Sequence, residues 1–272
     1  MGFCFGVKKS VELAKKTIKI KDGKVYMLGP IINNPQVLEY FKKEGVKVVD
    51  RLDEIPEKST VITRAHGISP FVLYEALQKR LSITDTTCPY VRKVQEIAAY
   101  LNKNGYFIVI LGDKMHPEIL GLLDVVHNNA LVIDSVSEIR EITWQKKIGF
   151  ISQTTKNIYD FKKLSSDLLD KTEELRIFNT ICKATIERQK SVLKLAKQVD
   201  IMVVIGGSKS ANTSRLAEIC QNQGVKTYHI ETKDQMKYDW FNPCDKVGIT
   251  SGASTPDWVI DEIIKKLKEW YV

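Results

Sequence analysis

The chain is sparing with residues that mark several common protein classes. Its five cysteines are an odd number, and none stands in a C-x-x-C pair. That argues against a disulfide framework and the usual zinc-finger spacing. No apolar run approaches the roughly 18 residues of a bilayer-crossing helix, so no membrane segment is expected. No Lys/Arg block is interleaved with aromatics, so nucleic acid is not an expected partner. Neither a P-loop nor G-x-G-x-x-G occurs, which leaves nucleotide binding without a signal. The N-terminus passes straight into the amphipathic "VKKSVELAKKTIKI" with no leader pattern, and the protein is expected to be cytoplasmic. Histidine is scarce as well, with four in 272 residues.

What is present is a globular composition with a basic balance. Hydrophobic residues make up 43% and charged residues 27%, enough for a real core. The formal charge of +8 suits an anionic small molecule or an acidic protein partner. Apolar, β-branched runs read as buried strands: "KVYMLG", "STVITRA", "YFIVILG", "ALVID", "KIGFIS", "LRIFNTI", "IMVVIGG" and "KVGITSG". They alternate with helical patterns such as "VRKVQEIAAYLNKNG", "TIERQKSVLKLAKQ", "TSRLAEICQNQG" and "DWVIDEIIKKLKEW". The alternation predicts an α/β protein with mainly parallel sheets covered by helices.

A weak repeat divides the chain. Cys4, Cys88 and Cys182 recur at intervals of about a third of its length, each just before a helical segment: "CFGVKKSVELAKK", "CPYVRKVQEIAAYL" and "CKATIERQKSVLKLAK". Basic residues follow each within about two turns. The repeat predicts three similar α/β units, 5–87, 88–178 and 179–272, with residues 1–4 joining a central site. A helix N-terminus favours an anion, so a cysteine there is readily a thiolate ligand. Gly2 and Gly6 would let the backbone turn around a bulky group, and Phe3 and Phe5 would shield it. Any one such cysteine more often only packs; three at matching junctions point to a shared metal site. Zinc with a fourth ligand and a 4Fe–4S cluster with one open iron both fit that donor set. Cys220, on the apolar side of a helix, and Cys244, in a loop after Pro243, read as packing or incidental.

The remaining polar motifs also fall at strand ends, where α/β sheets bind ligands. "TRAHG" supplies His66, "LGDKMHPE" supplies His116 and Glu118, and "ISQTT" supplies Thr154 and Thr155. "GGSKSANTSR" supplies Ser210 and Asn212, and "SGASTPDW" supplies Ser254 or Thr255 as a helix cap. Hydroxyls, an amide, histidines and backbone N–H groups make a phosphate-binding inventory. Glu118, two residues after His116, is the candidate proton donor.

In order along nearly the whole chain, "GFCFGVKKSVELA", "AHG", "DTTCPYVRKV", "HPE", "SQTT", "CKATIERQ", "GGSKSANTSRLAE" and "SGASTPD" resemble the 4-hydroxy-3-methylbut-2-enyl diphosphate reductase family, also called IspH or LytB. The resemblance implies a trefoil of three α/β units around a central cluster. It implies Cys4, Cys88 and Cys182 as ligands of a 4Fe–4S cluster with one open iron, and Thr185 close to it. It implies His66, His116, Ser210, Asn212 and Ser254 as diphosphate ligands, with Glu118 and Thr154 protonating the allylic hydroxyl that leaves as water. Products would be isopentenyl and dimethylallyl diphosphate, the last step of the non-mevalonate isoprenoid route. A ferredoxin or flavodoxin, both acidic, would donate the electrons.

The chain departs from the pattern at three places. Asn33, in "GPIINNPQV", stands where the family usually has histidine; it is still expected to touch the diphosphate. It also motivates an alternative, a cluster-bearing paralogue acting on a different anionic substrate. A second alternative, from another class, is a zinc-holding structural or binding protein. Ala211 replaces a common serine. Family chains carry a short strand ahead of "GFC"; with Met1 in that place, a loosely held Cys4 loop is expected.

Overall fold

The computed structural model describes residues 1–20 and 23–271. Two compact units form: Met1–Lys8 with Ile32–Tyr40 and Lys183–Val272, and Lys9–Ile31 with Phe41–Cys182. Among the described residues no helix is long and apolar enough to cross a membrane.

The larger unit carries two four-stranded sheets. The first is built from β1 (Val25–Leu28), β2 (Lys47–Val49), β3 (Thr60–Ile62) and β4 (Ser82–Thr84) in the order β2-β1-β3-β4. The second is built from β5 (Phe107–Leu111), β6 (Ala130–Ile133), β7 (Gln145–Ser152) and β8 (Thr172–Ile177) in the order β6-β5-β7-β8. The smaller unit holds β9 (Ile201–Ile205), β10 (Lys226–Ile230) and β11 (Val247–Ser251) in the order β10-β9-β11. All the described pairings are parallel. The same sequence of placements, second strand, first, third, then fourth, therefore recurs in the first two sheets and up to its third member in the last.

Burial explains why the central strands are unbroken apolar runs. All five residues of β9 are buried, as are the last four of β5, as expected of a parallel strand covered on both faces. Nine α-helices are described: α1 (Phe5–Ile20), α2 (Pro35–Lys43), α3 (Pro70–Gln78), α4 (Pro89–Lys103), α5 (Pro117–Val125), α6 (Ile158–Asp167), α7 (Lys183–Ala196), α8 (Ala211–Asn222) and α9 (Asp257–Tyr271). α4 shows how they seat: Val94, Ala98 and Leu101 recur at helical spacing and pack with Ile108, Ile110 and Ile151. In the smaller unit Val259, Ile260, Ile263 and Leu267 of α9 do the same against Ile201, Val203 and Ile205.

The structure adds β2 and β10 to the strands expected from apolar runs. It also moves β8 toward the N-terminus, so that it ends at Ile177 and leaves 178–182 as an extended connection.

The Cys4 loop is not loose. The Gly2 N–H donates to Ser251 Oγ at 3.2 Å, and the Cys4 N–H donates to the Ala253 carbonyl at 3.1 Å. The Arg188 guanidinium donates to the carbonyls of Gly2 (2.6 Å) and Ser251 (2.9 Å). Gly2 has a φ of +88°, and a Cβ there would meet Asp257 Oδ1 at 1.9 Å, so only glycine fits. Residues 2–4 are thus tied to the end of β11 and the loop that follows it. Hydrogen bonds from a charged donor contribute about 1.5–3 kcal/mol each. Arg188→Met should therefore speed hydrogen exchange at the Cys4 amide about tenfold or more and leave β9 unchanged. Unaltered Cys4 exchange would show that the loop is held by something else.

Candidate functional site

The three repeated cysteines share one backbone feature. The Cys88 N–H donates to the Ala65 carbonyl at 3.0 Å, Cys182 to Thr154 at 3.0 Å, and Cys4 to Ala253 at 3.1 Å. Each acceptor lies in the loop just past the third strand of its sheet, and each loop carries an expected site residue: His66, Thr154 itself, and Ser254. Side chains set up this register. Asp85 accepts the Thr87 N–H (2.9 Å) and Oγ1–H (2.5 Å) and binds Arg92 (2.7 Å), while Thr86 exchanges bonds with Thr63 at 2.6 and 3.0 Å. Thr180 does the same for Ser152 at 2.5 and 2.8 Å.

Each of these cysteines is half-buried at the start of a helix, and all five are thiols outside any disulfide. Cys88 is the N-cap of α4 with Pro89 behind it, and Cys4 Sγ accepts the Val7 N–H at 3.5 Å. Helix N-termini of this kind suit anionic sulfur, so the donor chemistry fits a thiolate-held iron–sulfur group. Among the described residues no three His, Cys, Asp or Glu side chains stand grouped to hold a single metal ion. Cys220 is fully buried, with its thiol pushed up to about 11 by burial. Cys244 is exposed. Both match their reading as packing and incidental.

The larger unit gathers His66, His116, Glu118 and Thr154. Glu118 is 2% exposed. Its Oε1 accepts the Thr154 N–H at 2.7 Å and its Oε2 pairs with Thr154 Oγ1 at 2.8 Å. Burial pushes its pKa to about 7, against the pull of both Thr154 bonds; the Asp113 charge adds to the rise. His116 is the N-cap of α5, its Nδ1 accepting the Glu118 N–H at 3.2 Å. That bond makes Nδ1 the acceptor and leaves Nε2–H as the donor. Burial lowers the His116 pKa. The His66 ring meets it edge-on at 5.2 Å, and burial, His116 and Arg64 lower the His66 pKa to about 3. Both imidazoles are neutral, and the buried Nδ1 of His66 has no hydrogen-bond partner among the described residues.

The smaller unit gathers Asn33, Ser210, Asn212 and Ser254. Ser210 caps α8 and accepts from Ser254 Oγ at 3.3 Å. The turn holding Asn33 presses on the loop before α8: a Cβ on Gly207 would meet the Asn33 carbonyl at 2.5 Å. Asn34 caps α2 by accepting the Val37 N–H at 2.9 Å. Yet Asn34 Nδ2, both side-chain polar atoms of Asn212, and Thr213 Oγ1 are buried and unpartnered among the described residues. Buried polar groups are normally bonded; this cluster has the donors for an oxyanion.

Other expected roles change. Phe5 is 68% exposed, whereas Phe3 packs edge-on against Trp258 at 6.2 Å. Gly6 lies inside α1 rather than in a turn. Arg188, read as one of the repeat's basic residues, is a backbone clamp. Thr185 is buried in α7. Arg64 and Lys156 were missed: neighbours of motif residues, they look like surface cations until their burial is seen.

The raised acid has a cost that pH exposes. Below about pH 4.5 Glu118 is protonated in the folded and unfolded chain alike. Between there and about 7 only the unfolded chain releases the proton, so stability falls across that window, by about 3 kcal/mol above it. Glu118→Gln, with no proton to lose, should gain thermal stability over the wild type as pH rises from 5 to 8, by about 5 °C or more. A difference in Tm that stays constant with pH would rule out the raised acid.

The sequence matches the family described as "LytB protein" over residues 1–268. It is 44% identical over 268 residues to the 4-hydroxy-3-methylbut-2-enyl diphosphate reductase of Geobacter metallireducens, covering 98% of this chain and 94% of that one. It is 43% identical over 272 residues to the protein of the same name from Aquifex aeolicus, covering 98% and 93%. Among solved structures, the E-1-hydroxy-2-methyl-but-2-enyl-4-diphosphate reductase of Plasmodium falciparum superposes with a TM-score of 0.94 at 28% identity, over 98% of this chain and 85% of that one. A second, described as (E)-4-hydroxy-3-methyl-but-2-enyl diphosphate reductase, the terminal enzyme of the non-mevalonate pathway, gives 0.72 at 42% identity, over 98% and 96%. The α/β fold class with parallel sheets is thus the family's own, and the chain belongs to the LytB family.

Proposed function

We propose that the protein reductively removes the hydroxyl of 4-hydroxy-3-methylbut-2-enyl diphosphate, giving isopentenyl and dimethylallyl diphosphate. The balanced change is two electrons and two protons in, one water out. The observation that carries this reading is Glu118, a buried acid near pH 7 bonded twice to Thr154. The reading of the chain as three units, 5–87, 88–178 and 179–272, is supported by one parallel sheet falling within each.

We assign Cys4, Cys88 and Cys182 as the residues that would hold a 4Fe–4S cluster. When bound, such a cluster supplies electrons one at a time and an open iron for an oxygen ligand. The remaining work falls to this chain. Oε1 of Glu118 accepts the Thr154 amide and Oε2 the Thr154 hydroxyl; when Glu118 carries its proton, Oε2–H can donate to Thr154 Oγ1 instead. That hydroxyl can pass a proton outward to a leaving oxygen as it takes one from Oε2, a short relay with its endpoints fixed. His116, through Nε2–H, and His66 are assigned as diphosphate donors in the larger unit. Asn33, Ser210, Asn212 and Ser254 are assigned the same task in the smaller one. Neutral donors can hydrogen-bond the diphosphate oxygens, and the basic surface suits an acidic ferredoxin or flavodoxin as electron source.

The paralogue reading drawn from Asn33 is not favoured: relatives above 40% identity carry the reductase name. Anaerobic turnover of the diphosphate with a chemical reductant is the deciding assay. Glu118→Gln should keep its iron and lose about 10²–10⁴ in rate; wild-type turnover would remove Glu118 from the role of acid. Cys4→Ser, Cys88→Ser and Cys182→Ser should each lose iron and colour, while Cys220→Ala and Cys244→Ala keep both. Equal iron in all five variants would refute the ligand assignment.

A further inference from the structure

Lys156 is buried to 3% exposure, and its ammonium sits between two carboxylates. It binds Asp113 and lies 3.5 Å from Asp134 Oδ1 and 3.2 Å from the Asp134 carbonyl. A buried ammonium is costly unless paired, so this one is not incidental. Its two partners keep side chains 43% and 44% exposed; the lysine is the buried member.

The pair also ties together the two loops that meet at Glu118. Asp113 opens the loop of His116 and Glu118: its carbonyl accepts the His116 N–H at 2.8 Å. Its own N–H donates to Gln153 Oε1 at 2.8 Å, and the Lys156 N–H donates to the Gln153 carbonyl at 3.2 Å. Lys156 closes the loop of Thr154. The charges are ordered as well. Burial alone would raise the Asp113 carboxyl, but the bond from Lys156 holds it lowered. The resulting negative charge favours the protonated forms of Glu118 and His116, while Lys156 disfavours that of His116. Among the described residues His66 and Arg64, on the loop after β3, face His116, and Asp134, after β6, faces Lys156.

We propose that the Lys156–Asp113 ion pair governs the pH at which Glu118 carries its proton, with Lys156 as a positioning residue that meters the Asp113 charge. The proposal rests on Glu118 as the acid only for its kinetic consequence. Removing Lys156 leaves the Asp113 charge uncompensated and raises the acidity midpoint of Glu118. Removing the Asp113 charge lowers it.

The test is an infrared titration of the Glu118 carboxyl stretch, isolated by subtracting the Glu118→Gln spectrum. Lys156→Met should move the midpoint up by about half a unit or more, and Asp113→Asn should move it down by a similar amount. Lys156→Arg, which keeps the charge, should stay near the wild type, and the double variant Lys156→Met/Asp113→Asn should return toward it. A merely structural clasp would shift both single variants the same way or neither, and either result overturns the proposal. If Lys156→Met fails to fold, Asp113→Asn and Lys156→Arg still decide: no downward shift in the first, or a shift in the second, overturns it. The pH dependence of turnover separates the two readings. An alkaline limb that follows the infrared midpoint supports both. A midpoint that moves under an unmoved limb upholds the ion pair and removes Glu118 as the acid.

Discussion

The constraint on which the site depends is a backbone one. Three amide groups, those of Cys4, Cys88 and Cys182, each donate to a carbonyl just beyond the third strand of a parallel sheet. A single such bond contributes only about 0.5–1.5 kcal/mol net. Its importance is register. The Thr63 N–H already meets the Thr84 carbonyl at 3.0 Å, and the Phe178 N–H meets Phe150 at 3.0 Å, so these ladders run on past the strands and fix Cys88 and Cys182 each beside its own sheet. A slip of one residue would turn the thiol to the opposite side. The thiol's position is therefore inherited from the hydrophobic pattern that pairs the strands, and so is that of the residue beside each acceptor.

Within the larger unit, burial then does the chemical tuning. A carboxyl and two imidazoles packed away from water all drift toward their neutral forms: Glu118 up to about 7, His66 down to about 3. A neutral acid can give a proton and a neutral imidazole can donate a hydrogen bond. One physical cause thus prepares both tasks. Charge enters at the margins, through Arg64, Asp113 and Lys156, where it adjusts what burial has set.

Much of this was legible in the chain. The strands that are buried on both faces, β5, β7 and β9, announce themselves as unbroken apolar runs. Their helices show the spacing of Val94, Ala98 and Leu101. β2 escaped because it has only three residues, and β10 because its residues "KTYHI" are mixed and mostly half-buried, so neither alternation nor continuity marks it. The cysteines could be read as equivalent from the helix that follows each, but not the carbonyl that each one binds, since a backbone acceptor leaves no side-chain signature: two are alanines, Ala65 and Ala253, and the third is Thr154. Lys156 was hidden for a different reason. A lysine after "SQTT" is by composition a solvated side chain, and only the fold brings Asp113 and Asp134 to it.

Asn33 shows where such reading has to give way to local geometry. A histidine exchanged for asparagine suggests a changed pocket if side chains alone are compared. The turn around it, however, is held by its backbone and its neighbour. The Asn33 carbonyl fits against Gly207, which tolerates no side chain there, and Asn34 caps α2 through Val37. Neither contact uses the Asn33 side chain. The residue can therefore change type without losing either contact: the backbone fit against Gly207 and the cap of α2 by Asn34 are independent of what stands on the Asn33 Cα.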